Sequence, residues 1–195
     1  MRFVLCILIM ALYGLSALAE SDYFPLHVGD EWTSSTTFVA SDGTIVEGIF
    51  HRKVEDSIDR QGSRYFRLRS WSEGMPKNWD YTKLMRKNEK AVYSIDERIP
   101  DAVEQVEFAL PLKVGSSWQW SEGSKTMTDT VKGLEAVEIS GRIYKDCFHI
   151  QRLSEDGSIT EDYWQAPNVG DLRSINVFAD GSKITLTLKE FKSGK

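Results

Sequence analysis

The chain has 195 residues, with 24 Lys and Arg against 29 Asp and Glu and a formal net charge of −5, both signs dispersed along its length. No basic block is available for nucleic acid and no like-charge tail signals disorder, so the composition is that of a folded globular protein. Of the two cysteines, Cys6 lies in the amino-terminal apolar run, leaving Cys147 with no partner for an internal disulfide.

Residues 1–19 read as a cleaved secretory signal. Arg2 supplies the positive start, Phe3 to Leu12 is an unbroken apolar run, and Ala17-Leu18-Ala19 is a small-x-small cleavage pattern. The run is short for a membrane span, which needs about 20 apolar residues, so no transmembrane segment is expected after cleavage. Cys6 sits too far inside the run for a lipid-modified mature terminus. Export without disulfides, and without any Asn-x-Ser/Thr site, points to a periplasmic or secreted bacterial protein.

The mature chain, 20–195, is expected to be one all-β domain built from two repeat-like halves, about 23–105 and 109–191. The basis is a stretch that occurs twice: Pro25-Leu26-His27-Val28-Gly29-Asp30-Glu31-Trp32, and 86 positions on, Pro111-Leu112-Lys113-Val114-Gly115-Ser116-Ser117-Trp118. Proline cannot donate to a sheet ladder and belongs where a strand begins. Glycine permits a tight turn or close approach, and Trp then opens the next strand as a large apolar anchor. Pro25, Gly29, Trp32, Pro111, Gly115 and Trp118 are therefore expected to be structural anchors.

Trp32 to Val39 reads as a strand, and Ser41-Asp42-Gly43-Thr44 as a hairpin turn. The return strand runs to Ile58, with Gly48 marking an expected bulge or bend. After a turn at Asp59 to Gly62 comes the most informative strand of this half. Phe66 and Leu68 share one face, while Tyr65, Arg67, Arg69 and Trp71 share the other. The second face, aromatic and basic, suits solvent or a ligand. Trp79 and Tyr81 recur at spacing two beyond a Gly74/Pro76 loop, and Ala91 to Ile95 is a further strand.

In the second half Trp118 and Trp120 alternate, Thr126 to Ile139 reads as one long or broken strand, and Ser140-Gly141-Arg142 turns. Phe148-His149-Ile150 repeats the order of Phe66-Arg67-Leu68. Hairpin signals at Asp156-Gly157 and Asp180-Gly181 separate the last strands, which close on the alternating Ile184, Leu186 and Leu188. Trp71-Ser72-Glu73-Gly74 and Trp120-Ser121-Glu122-Gly123 are identical but 49 positions apart, so they fall outside the duplication. Regular turns and Thr-, Val- and aromatic-rich runs with no amphipathic helix mean an antiparallel all-β fold. Curved sheet, half-barrel, closed barrel and sandwich all remain open.

The elements Tyr23-Phe24-Pro25-Leu26, Gly29 and Trp32, then Leu110-Pro111-Leu112, Gly115 and Trp118, then Tyr163-Trp164, Ala166-Pro167 and Val169-Gly170 resemble a pattern of exported bacterial all-β proteins of unknown function. There an aromatic pair followed by Ala-Pro-x-Val-Gly closes the second unit, so Trp164 joins the anchors. Asp171 stands here where that pattern carries an apolar residue. The resemblance implies an envelope or periplasmic β module and carries no catalytic residues.

Reaction chemistry is sparse. His27, His51 and His149 are not spaced for a metal site, one mature cysteine builds no zinc knuckle, and neither a Gly-x-Ser-x-Gly elbow nor a phosphate loop occurs. No cofactor, metal site or catalytic residue is assigned. Cys147 is expected to be a buried small hydrophobe. The expectation is a non-catalytic module binding a small apolar or glycan-like ligand, or an envelope protein, with Arg67, Arg69, Trp71, Trp79 and Tyr81 as the candidate surface. The alternatives are a hydrolase of envelope polysaccharide or lipid using carboxylates such as Glu161 and Asp162, and a structural adaptor.

Overall fold

The structure is a computed structural model that describes residues 21–75, 79–122 and 125–194; the expected signal at 1–19 lies outside them. The strands are β1 (Glu31–Val39), β2 (Ile45–Arg60), β3 (Ser63–Glu73), β4 (Tyr81–Lys87), β5 (Ala91–Asp96) and β6 (Gln105–Ala109). They continue as β7 (Ser117–Glu122), β8 (Lys125–Ile139), β9 (Arg142–Ser154), β10 (Ile159–Ala166), β11 (Gly170–Phe178) and β12 (Lys183–Lys192). All pair antiparallel in one twelve-stranded sheet ordered β6-β5-β4-β3-β2-β1-β12-β11-β10-β9-β8-β7. That order is two six-strand meanders joined where β1 pairs β12 from Glu31↔Lys192 to Val39↔Lys183. The sheet curls until its edges, β6 and β7, face each other, and it is nearly closed into a barrel.

The two repeated stretches make the same turn. Gly29 N–H donates to Val54 O (2.8 Å), Asp30 N–H to His27 O (2.9 Å), and Val54 N–H to Asp30 O (2.9 Å). In the second half Gly115 donates to Val131 (2.8 Å), Ser116 to Lys113 (2.9 Å) and Val131 to Ser116 (2.9 Å). Both glycines have positive φ, 95° and 86°, the region that favours glycine. Trp32 and Trp118 follow, 7% and 8% exposed, within one continuous core. Their surroundings differ beyond that. Pro25 is buried beside Gly170, and Trp32 donates its indole N–H to Val169 O (2.6 Å). Pro111 is exposed, and Trp118 donates to Glu107 O (3.1 Å).

The segment before β1 crosses one end of the barrel like a strap. Asp22 and Asn168 exchange hydrogen bonds (3.2 and 2.6 Å), Tyr23 packs at a tilt on Phe148 at 4.8 Å, and Phe24 packs on Phe108 at 4.7 Å. Lys87 Nζ donates to Phe24 O at 3.0 Å. Fully buried Asp30 accepts from Gly194 N–H (2.8 Å), tying the carboxyl-terminal residues beneath the same end.

Two expectations need correction. Gly48 sits in regular register with β1, and no shift interrupts its pairing to Thr36. It is required instead by close approach: a Cβ there would lie 2.4 Å from Glu73 O. Tyr65, placed with the solvent-facing residues, is buried with Leu84 and Ile95 in a second small cluster on the outer face. Ala102 packs on this cluster, and Tyr65 and Arg86 both bond Glu104. The loop after β5 therefore covers the outside of the sheet, and β5 is buried on both faces.

Candidate functional site

The inward face of the barrel encloses a cavity of about 460 Å3. Its strap end is apolar, with Phe24, Leu68, Met85, Phe108 and Leu172. Its other end is reached past Trp79, Arg98, Ile159, Phe178 and Ile184, which lie at or beside strand ends opposite the strap. Between them runs a belt of charge.

Each belt residue owes its inward direction to strand alternation. Arg52 lies between the inward Phe50 and Val54 on β2, Lys83 between Tyr81 and Met85 on β4, and Arg152 between Ile150 and Ser154 on β9. Each cation has a carboxylate. Arg152 holds Asp129 through two bonds (2.8 and 3.0 Å) and Glu161 through a third (2.9 Å), and Tyr163 OH donates to Asp129 at 3.1 Å. Lys83 Nζ donates to both Glu107 oxygens at 3.3 and 3.2 Å, and Ser94 Oγ to one at 2.7 Å. Arg52 and Gln165 both bond Asp171.

Burial alone would raise both acids, but they settle oppositely. Burial of Glu107 is outweighed by Lys83 and Arg152, which hold it down at about 2. Burial dominates at Glu161, which is raised even though Arg152 opposes the shift, because Asp129 and Asp171 add repulsion. Burial also pushes up the Tyr163 phenol. Burial disfavours the charged forms of Lys83 and Arg152, yet the carboxylates leave both pKa values above the ordinary.

The five residues proposed from sequence do not share a surface. Trp79 and Tyr81 line the lumen. Arg67, Arg69 and Trp71 are on the outer face of β3. Arg67 pairs with Asp56 (3.3 Å) and Glu97 (3.5 Å), and Arg69 pairs with Glu55 (3.5 Å) and lies 5.3 Å over the Trp71 ring. Trp71 stacks on its cross-strand partner His51 at 4.8 Å and 12°. A second outer pair, His149 on Trp164 at 4.8 Å and 9°, completes the pattern. Trp164 is thus a half-buried outer residue, and Tyr163 beside it is the one that enters the core.

Sequence reasoning missed Arg52, Lys83, Glu107, Trp120, Arg152 and Asp171. The available signal was a charged residue at an inward position flanked by apolar ones, as in Phe50-His51-Arg52-Lys53-Val54 read with alternation. Glu161 and Asp162 are neighbours on β10 and face opposite ways: Glu161 into the lumen, Asp162 outward to His149 Nε2 at 2.8 Å. Cys147 is fully buried, as expected. Among the described residues no group of three or more His, Cys, Asp and Glu is placed to hold a metal, and no helix is long and apolar enough to cross a membrane. The outward Lys53, Arg67 and Arg69 also break any apolar belt of the kind a transmembrane barrel presents to lipid.

This arrangement, a curled antiparallel sheet strapped at one end around a mixed apolar and ionic lumen, defines a class of β module. Its fold is shared with solved structures. A protein described as exported, with a YmcC-like fold, from Bacteroides fragilis superposes with a TM-score of 0.52 at 11% identity, over 89% of this chain and 100% of that one. A protein described as a lipoprotein from Parabacteroides distasonis superposes with a TM-score of 0.51 at 12% identity, over 88% and 99%. At such identities the likeness is one of fold. No family model matches the chain, and no curated protein does.

Proposed function

We propose that this protein is a non-catalytic module of the bacterial envelope, periplasmic or secreted, that holds a small apolar or glycan-like ligand in its lumen. The observation that carries the reading is the cavity itself, about 460 Å3 with Phe50, Trp79, Tyr81 and Trp120 set among polar groups. That volume lies in the range of roughly 300–1,000 Å3 usual for ligand pockets, and aromatic walls with a few fixed polar groups are how such pockets select. The export signal in the sequence, its likeness to exported bacterial all-β proteins, and the fold shared with a protein described as exported support the location. The repeated Gly turns support descent of the two halves from one duplicated six-strand unit.

The hydrolase alternative has less support, since Glu161 and Asp162 cannot act together across a sheet, and the inward carboxylates are engaged by cations. Native mass spectrometry of protein purified from its own periplasm tests the reading. The expected result is a retained small molecule in the native protein that is lost in Ser174→Trp, which fills the lumen. Co-purification with an envelope complex and an empty lumen would favour the adaptor role instead.

A further inference from the structure

Among the lumen-lining residues the hydrogen-bond inventory is one-sided; Gln165 Oε1, a buried acceptor without a partner, sits by Gly170 and does not line the lumen. Every carboxylate oxygen in the belt already accepts a bond: those of Glu107 from Lys83 and Ser94, those of Glu161 from Arg152 and Asn176, those of Asp171 from Arg52 and Gln165. The Asp129 oxygens accept from Arg152 and Tyr163. The donors are not all used. Arg52 Nε–H and Trp120 Nε1–H are buried and have no acceptor among the described residues. A buried donor left unmade is costly, so a group that supplies an acceptor gains there.

The charges of the belt nearly cancel, Arg52, Lys83 and Arg152 against Asp129, Glu107, Asp171 and a Glu161 whose protonated form burial favours, so the unpaired donors decide. Trp120 lies 4.5 Å from the Arg152 guanidinium and 6.0 Å from Lys83 Nζ, so its N–H belongs to a ring flanked by two cations. Tyr81 hydrogen-bonds Arg52, and Lys83 and Arg152 both act on Glu107, which sets the three cations around one lumen. Arg98, paired with Asp96, lines the cavity further out. A cationic ligand would meet carboxylates already engaged and donors it cannot satisfy. A ligand bearing an oxyanion brings acceptors to the donors that lack them, and charge-assisted bonds are the stronger kind.

We propose that the lumenal ligand is recognised through an oxyanion (a carboxylate, phosphate or sulfate group) received by the unpaired donors of Arg52 and Trp120 within the Lys83–Arg152 field. This rests on the reading of the lumen as a binding site and adds the ligand's chemical class.

The test is calorimetric titration of the mature protein with paired probes: glucuronate and glucose 6-phosphate against glucose, and dioctanoyl phosphatidate against dioctanoylglycerol. The expected result is that an oxyanion probe binds at least about tenfold tighter than its neutral partner, and the pair that does so tells sugar from lipid. Trp120→Phe keeps the ring and removes the N–H, and should weaken that probe about tenfold while leaving a neutral one unchanged. Arg52→Lys, which keeps the charge beside Asp171 and removes Nε–H, should act likewise. Equal binding of charged and neutral probes, or full affinity in both variants, would overturn the proposal. Neutral probes that bind alone and are blocked by Ser174→Trp would leave the lumen reading standing without the oxyanion. No binding by any probe, with no retained molecule in the native protein, would remove both.

Discussion

Val54 and Val131 hold the same place in the two halves of the molecule. Each exchanges backbone hydrogen bonds with the repeated Gly turn, and each is almost wholly buried, at 0% and 1% exposure. Each lies opposite an apolar partner, Leu68 for Val54 and Ile150 for Val131. In both β2 and β8 the register shifts directly after this valine. A bulge there bends the strand and tightens its twist, which lets both long hairpins curve at equivalent points around the strapped end.

The two turn glycines should respond unequally to alanine. At Gly115 a Cβ meets nothing within 4 Å, so only the positive φ is costly, about 1–2 kcal/mol. At Gly29 the Cβ would also lie 3.1 Å from Gly194 Cα, so Gly29→Ala should cost ~2–4 kcal/mol. Equilibrium urea unfolding of both variants checks the order.

Tryptophans on the two faces should separate in the same assay. Trp32→Ala and Trp118→Ala each empty a core position and break an indole hydrogen bond, an expected loss of about 3–5 kcal/mol. Trp71→Ala gives up a surface stack on His51, worth about 1 kcal/mol.

That separation marks where sequence reading stops. The strands, their turns and the duplicated Gly-x-x-Trp unit follow from local chemistry: Asp42, Asp156 and Asp180 each cap their own hairpin loop by accepting a backbone N–H two residues on. Which face becomes the lumen does not follow, because both faces of these strands carry aromatic and charged residues. Trp71-Ser72-Glu73 and Trp120-Ser121-Glu122 are identical in sequence, yet Trp71 points out and Trp120 points in. The belt is invisible locally for the same reason, since Arg52 finds Asp171 only after β1 and β12 have joined the halves.

The belt predicts a particular pH response. Glu107 titrates near 2 in the folded protein, below its ordinary 4.5, so its ionised form stabilises the fold above about pH 5, a contribution lost as the pH falls toward 2. Glu107→Gln should therefore cost at most about 3 kcal/mol at pH 7, and the two unfolding curves should converge in acid. Glu161 is raised, so the folded state favours its protonated form, a contribution present in acid that fades as the pH rises. Glu161→Gln should cost less than Glu107→Gln at pH 7.

The two junctions between the halves should differ in hydrogen exchange. β1 pairs with β12 along its whole length, with one register shift between Thr33 and Ser34. At β6 and β7 side-chain props link the edges, Trp118 Nε1–H to Glu107 O and Ser121 N–H to Gln105 Oε1 (2.9 Å). Peptides covering 117–121 should exchange faster than those covering 31–39.

The lumen as the binding surface is tested most directly by the indole N–H resonances of 15N-labelled protein during titration with a ligand released from the native protein. The account predicts that the Trp79 and Trp120 signals shift on binding while those of Trp71 and Trp164 stay in place. Movement of Trp71 with Trp79 and Trp120 unchanged would put the ligand on the outer face and contradict it.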